Sequence, residues 1–346
     1  MTNKQQLRVG VVGCGNDGAN LALAVARSGS LQLVACADPD ATAAERAARA
    51  TGGVSIHASI ESLLELYKTS IDAVLIATPH DELARCSLAA IRAGKHVMIE
   101  KPMAMNAADA AEVEAAASNA GVTCMVGYSL RFSTGKYVHD LLAAGHLGDV
   151  QAVSGSIGVP PMNRGWMSTT ERGGGPLLFV GCHLVDFVLW FTGADPVSVY
   201  ADVRRRADTG TDELSAIQLR LATGVVAQLL VSQTQPMFGY DLQMYGTSGD
   251  IGLRGRNLFQ AELEVFGTAT ATFRDPAIIR PVLRGDAITT MLVPELDEFA
   301  HSILESRPPA ITAADGRRVL QVLDAVVESA RLGQPVAIHV ADLLVT

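Results

Sequence analysis

Lysine is scarce in this 346-residue chain, at five residues, and aromatic side chains make up only 5%. Basic charge is also short, with 27 Lys+Arg against 36 Asp+Glu and a formal net charge of −9. No stretch is basic enough to grip a nucleic acid: the one basic run, Arg204 to Arg206, is flanked by Asp202 and Asp208 and reads as a solvated strand end. The five cysteines (Cys14, Cys36, Cys86, Cys124, Cys182) stand singly among apolar neighbours with no CxxC pair, so neither a disulfide framework nor a metal site is expected. No uncharged apolar run reaches the roughly 18 residues of a membrane span. Arg8 interrupts the first apolar stretch, so no signal-peptide core is seen. These absences lead to the expectation of a cytoplasmic protein acting on a small molecule, with no nucleic-acid or membrane partner.

What is present is a large apolar fraction, 49%, in a chain longer than the roughly 250 to 300 residues at which single cores stop growing. Two domains are expected, 1–126 and 127–346. In the first, strand-length apolar runs at 8–12, 31–37, 71–77, 96–99 and 123–126 alternate with helical patterns at 16–28, 40–51, 80–93 and 106–120. That alternation predicts parallel βαβ units, hence an α/β fold with an N-terminal Rossmann-type doubly wound parallel sheet. From Val150 onward, strands at 150–158, 196–206, 212–222 and 225–233 follow one another, interrupted by helices near 134–145 and 174–192. This pattern predicts a C-terminal α+β domain with a mostly antiparallel sheet. Val319, Leu320, Val322, Leu323, Val326 and Val327 fall at helical spacing in 313–332, a helix expected across the back of that sheet. Alternate apolar residues in 215–221 and 225–231 would form a large patch if exposed, which predicts a homodimer or homotetramer joined through the sheet.

Three motifs carry chemistry. Gly13-Cys14-Gly15-Asn16-Asp17-Gly18 follows a strand and opens a helix, where glycines allow a tight turn, close approach of a pyrophosphate and close strand–helix packing. Asp38, 20 residues after Gly18, stands where a carboxylate accepts the adenosine ribose hydroxyls. The same carboxylate would oppose a 2′-phosphate, by about 4 kcal/mol at most for charges ~4 Å apart at an effective dielectric of ~20. NAD rather than NADP is therefore expected. Ala77-Thr78-Pro79-His80 closes another strand, whose carboxyl end should line the cofactor crevice; His80 alone also reads as a first-turn helix residue. Glu100-Lys101-Pro102 closes the strand 96–99, and an amine in that position suits proton exchange with a substrate hydroxyl.

With GYSLRF at 127–132 and GGGPLLFVGCHLVD at 173–186, these motifs resemble the glucose-fructose oxidoreductase and inositol dehydrogenase family (Gfo/Idh/MocA) over essentially the whole chain. The resemblance implies a nicotinamide-dependent dehydrogenase of polyhydroxylated substrates, with an open mixed sheet in the second domain, Lys101 as catalytic lysine and His183 as active-site histidine. Family members with the usual proton relay carry Asp four residues before the histidine, where this chain has Phe179. Asp186 matches the family's later acid and, at i+3, can fix the tautomer of His183. Tyr128 and Arg131 match the GYSLRF segment. Trp166, able to face a sugar ring, and Arg164 or Arg172, able to clamp an anion, complete the substrate-binding candidates with Phe179. Two other readings remain open: an enzyme oxidising its substrate transiently to permit elimination or glycosidic cleavage, and a nicotinamide-sensing protein without catalysis.

Overall fold

Short Val/Ile/Leu/Ala-rich runs become strands buried on both faces, as parallel sheets covered by crossover helices require. The computed structural model describes residues 6–163, 165–256, 261–268, 274–280 and 286–339. Its first strands and helices alternate as β1 (Leu7–Val12), α1 (Asn16–Arg27), β2 (Leu31–Ala37), α2 (Ala41–Ala50), β3 (Ser55–His57), α3 (Ile60–Leu66), β4 (Ala73–Ile76), α4 (His80–Arg92), β5 (His96–Glu100), α5 (Ala107–Ala120) and β6 (Cys124–Gly127). All six strands are parallel, in the order β3-β2-β1-β4-β5-β6, and β4 is buried throughout. The order reverses between β1 and β4, the switch point of a doubly wound sheet. β3 and α3 escaped the sequence reading because three half-exposed residues carry no period. The Ser59 capping box is the local signal for α3.

The second unit starts with α6 (Thr134–Ala143) and β7 (Val150–Gly158), followed by a helical stretch, α7 (Thr170–Gly173) and α8 (Cys182–Thr192), with a π-helical turn at Leu177–Gly181. That stretch, Thr170–Thr192, is by length and composition able to cross a membrane, contrary to the expectation from the uncharged runs. Here 83% of its apolar window is buried, as in a core helix of a folded unit. Strands β8 (Pro196–Arg205), β9 (Asp212–Leu221), β10 (Val226–Ser232), β11 (Gly239–Gly246), β12 (Gly249–Gly255), β13 (Ala261–Gly267), β14 (Ala277–Ile279) and β15 (Val336–Ala337) join β7 in one sheet, ordered β14-β13-β12-β11-β7-β10-β9-β8-β15. Every pairing is antiparallel except β7 with β10.

Period-two alternation places Ile217, Leu219, Leu221, Ala227, Leu229 and Val231 on one face, and all are buried. On that face Leu184 of α8 closes over Gly155, where a Cβ would stand 3.0 Å from its methyl. The large exposed apolar patch expected from these alternate positions is therefore absent: the chain covers them itself. The opposite face presents polar residues such as Gln218 and Arg220, with Tyr200, Leu230 and Tyr245 exposed among them.

The expected single boundary after residue 126 does not describe the chain. One compact unit comprises 1–132 with 284–317, the other 133–283 with 318–346. In the first, α9 (Val293–Leu304) returns because its apolar stripe, Leu296, Phe299 and Ala300, needs a partner and finds it against α1. Arg27 donates to both oxygens of Asp286 at 2.6 and 2.7 Å, Ser28 donates to Asp297 at 2.6 Å, and the Val126 N–H donates to the Ile311 carbonyl. The last helix, α10 (Ala313–Leu332), buries Val319, Leu320, Val322, Leu323 and Val326, while Val327 is exposed.

Within the second unit, the fully buried Ser329 hydroxyl on α10 accepts from Ala201 N–H of β8 at 3.0 Å and donates to the Gln334 carbonyl at 2.7 Å. Ser329→Ala strands both backbone groups, and a loss of roughly 2 kcal/mol is expected, read as a lower urea midpoint with an unchanged slope.

Candidate active site

The turn after β1 is built by contact rather than by side chains. A Cβ on Gly18 would collide with the carbonyl oxygen of Gly13, and Gly13 itself sits at φ +83° against the backbone of Ala77 and Thr78. Gly15 is exposed, and a Cβ there would meet nothing within 4 Å, so open space lies over it. Asp38 clasps this loop from the end of β2: one carboxylate oxygen accepts Cys14 N–H at 2.6 Å and the other accepts Asp40 N–H at 2.8 Å.

Helix starts around the sheet differ in a telling way. Those of α2, α3 and α5 are capped by the side chains of Asp40, Ser59 and Asn106. Those of α1 and α4, which begin at Gly15 and Pro79, have no side-chain cap, and they follow the two strands that flank the switch point. Uncapped N–H donors with the positive end of the helix dipole suit an anion such as a pyrophosphate. Gly13, Gly15, Asn16, Asp17, Gly18, Asp38 and the Ala77-Thr78-Pro79-His80 loop therefore fit a dinucleotide, although His80 itself is the buried first residue of α4.

At the end of β5, Glu100 accepts the Lys101 N–H at 3.2 Å, and the Lys101–Pro102 peptide is cis. Burial first, and then the charge of Asp17, push the Glu100 carboxyl up to about 7. A second acid belongs to this group. Glu295 on α9 is fully buried, neither of its carboxyl oxygens has a hydrogen-bond partner, and Glu100 and Lys101 are the charges acting on it.

In the second unit, His183 and Asp186 are buried on α8, and Phe179 lies inside the π-turn that precedes them. The start of this helix is held by Asp212, whose carboxylate accepts Leu177 N–H at 2.9 Å. Burial pushes that carboxyl up from 3.8 to about 6.

Residues 7–128 match the oxidoreductase family with an NAD-binding Rossmann fold (GFO/IDH/MocA), and residues 136–252 match the GFO/IDH/MocA C-terminal domain. A 1,5-anhydro-D-fructose reductase from Ensifer adhaerens is 31% identical, covering 86% of this chain and 89% of that protein. The chain belongs to the GFO/IDH/MocA oxidoreductase family. The inositol 2-dehydrogenase of Rhizobium meliloti is 28% identical over 93% of this chain and 96% of its own. An aldose-aldose oxidoreductase structure from Caulobacter crescentus shares the fold, with TM-score 0.86 and 23% identity over 96% of this chain and all of that one.

As a GFO/IDH/MocA member the chain is an NAD(P)-dependent oxidoreductase, and its first unit is the NAD-binding domain. Lys101, Glu100 and the glycine loop belong to that unit, as do Tyr128 and Arg131, both buried. His183, Asp186, Phe179, the half-buried Trp166 and the exposed Arg172 belong to the other. Arg164 lies outside the described residues. Two residues escaped the sequence reading. Glu295 was detectable as a carboxylate on the apolar stripe with Leu296 and Phe299, whereas Asp212, 35 residues from its partner Leu177, gave no local signal.

Because the folded chain keeps the Asp212 proton where the unfolded chain releases it, the stability tied to this group is full below about pH 4 and falls as the pH rises to about 6. Asp212→Asn abolishes that fall, so the gap in unfolding free energy between variant and wild type should change by up to about 3 kcal/mol across this window in urea melts. Gly18→Ala, by contrast, should lose NAD binding in a fluorescence titration by more than about tenfold, since the turn cannot close around a Cβ.

Proposed function

We propose that this enzyme moves a hydride between an alcohol carbon of a sugar-like or cyclitol substrate and a nicotinamide dinucleotide, NAD in preference to NADP, with Lys101 and His183 handling the alcohol proton. The observation that carries the reading is Lys101 itself, one of five lysines in the chain, set with Glu100 at the carboxyl end of β5, two strands from the switch point. The names of the anhydrofructose reductase and the inositol dehydrogenase support the substrate class.

The bound nicotinamide supplies the hydride acceptor or donor. The protein has to place the reacting carbon and to move one proton. Lys101 presents an amine that can donate a hydrogen bond to the substrate oxygen and oppose the charge that develops there. His183, buried on α8 three residues before Asp186, offers an imidazole able to take the hydroxyl proton during oxidation and return it during reduction. Phe179 supplies an apolar side chain where an acid would have stabilised a protonated neighbour, which favours neutral imidazole and a better rate at neutral to alkaline pH in the oxidative direction. Asp38 opposes a 2′-phosphate, and no Arg or Lys lies beside it in Asp38-Pro39-Asp40 to pair with one. For assembly, Tyr200, Leu230 and Tyr245 on the outward sheet face support a homodimer or homotetramer through that face, with a monomeric mass by light scattering at micromolar concentration as the contrary result.

Lys101→Ala and His183→Ala should each lower turnover by about 10² or more, the usual worth of a positioned acid or base, with NAD affinity kept within a few fold. A panel of sugars and inositols followed by reduced-cofactor absorbance supplies the substrate. Net NADH release supports the dehydrogenase. Product without net NADH would indicate transient oxidation, and binding without any product would indicate a sensor. NAD should bind at least about tenfold tighter than NADP, and Asp38→Asn should narrow the gap.

A further inference from the structure

Between β7 and the helix of His183 the chain makes an excursion, 159–176, that carries Trp166 and Arg172. Its middle is compact. The turn at Trp166–Ser168 lies against α7, where a Cβ on Gly173 would stand 2.7 Å from the Met167 Cα and 2.9 Å from the Trp166 carbonyl oxygen. Gly173 and Gly174 both donate their N–H to the Thr169 carbonyl, at 2.9 and 3.3 Å. A segment closed on itself in this way is placed by its two feet. At the first, Met162 N–H donates to Oε1 of Gln233 at 2.9 Å, and Nη1 of Arg206 reaches the same oxygen at 3.4 Å and Oδ1 of Asn163 at 2.6 Å. At the second, Leu177 N–H donates to one oxygen of the Asp212 carboxylate at 2.9 Å, and a Cβ on Gly175 would stand 2.0 Å from the other. Gln233 joins the two feet. Its Nε2 donates to the Asp212 carbonyl at 2.6 Å and to Thr211 Oγ1 at 3.2 Å. Gln233, Thr211 and Asp212 are all buried, where a satisfied polar network fixes one arrangement and a broken one leaves polar groups stranded.

We propose that Gln233 is a positioning residue for substrate recognition: one carboxamide, bonded toward both feet, fixes where the segment of Trp166 and Arg172 stands relative to the helix of His183. The inference rests on the dehydrogenase reading above, with Trp166 and Arg172 as the substrate-binding candidates of this segment. For the β9–β10 ladder the backbone of residue 233 is enough, since its N–H donates to the Glu213 carbonyl at 3.0 Å. The carboxamide goes instead to the loop at Met162 and to the residue that holds Leu177. A shift of about 1 Å in a group that holds substrate can cost about 10² in rate, so slight play at the feet is enough to alter recognition of a polyhydroxylated ring.

Gln233→Met keeps the bulk of the side chain and removes its four hydrogen bonds. In the enzyme without added cofactor, hydrogen–deuterium exchange should rise about tenfold or more in peptides covering 159–168 and 175–178, with the first unit unchanged. Across the panel of sugars and inositols, KM for the substrate that the wild type uses best should rise about tenfold or more. The ratio of kcat/KM between that substrate and the next best should change by about threefold or more, with NAD affinity kept within a few fold. A merely destabilised protein would lose active enzyme, which lowers kcat by one factor for every substrate and leaves KM and the ratio in place. Unchanged exchange at either foot, or an unchanged KM and ratio, would overturn the proposal. Should Gln233→Met fail to fold, Arg206→Met cuts the guanidinium contacts with Asn163 and Gln233 and leaves the carboxamide in place. It should then show the same changes to a smaller degree, and their absence overturns the proposal equally. If the wild type turns over no member of the panel, it is the dehydrogenase reading that fails, and the exchange comparison alone decides whether Gln233 holds the segment.

Discussion

β1 lies hydrogen-bonded in parallel between β2 and β4, and the chain leaves it toward one side of the sheet and comes back to its other side. Because neighbouring crossovers diverge there, their loops part, and the carboxyl ends of β1 and β4 open onto space that no crossover fills. The residues that line the opening follow from this constraint. Gly13 and Gly18 let the chain turn within the opening, Gly15 leaves it clear, and two helix starts without side-chain caps point their donors at it. The Asp38 carboxylate is doubly engaged by backbone N–H groups, so its charge is delivered to a fixed place.

The protein holds several carboxyls in surroundings poor in water. Asp212, Glu100 and Glu295 are all displaced upward by burial, but they are satisfied to different degrees. Asp212 and Glu100 each accept a backbone N–H, from Leu177 and Lys101, whereas Glu295 accepts none. Asp212 ties the strand sheet to the helix that carries His183. Glu100 belongs to the same segment as the lysine.

The elements that were legible in the amino-acid order are those whose signal is local. β2, β7 and α10 were read with the ends they have in the structure, because each is a run of one period bounded by turn residues or caps. The glycine motif was equally clear, since turn, strand and helix coincide within a dozen residues. What was not legible depends on partners far along the chain. The return of 284–317 to the first unit is recorded only in contacts such as Arg27 with Asp286, 259 residues apart. The π-turn at 177–181 resembles ordinary helix in sequence, so no local signal marks it. The apolar alternation of β9 and β10 was read correctly as a face, but nothing local says that the same chain covers it.

The crossing of the chain between its two units has a consequence for synthesis. α1 and β6 leave the ribosome early, while the segment that covers α1 and offers the Ile311 carbonyl to Val126 emerges more than 150 residues later. Until then the nascent first unit carries an uncovered helix flank and an incomplete edge beside β6, surfaces that invite association with other chains. Its cooperative folding therefore waits for the last quarter of translation, and a fragment ending near residue 132 would be a poor substitute for the intact domain.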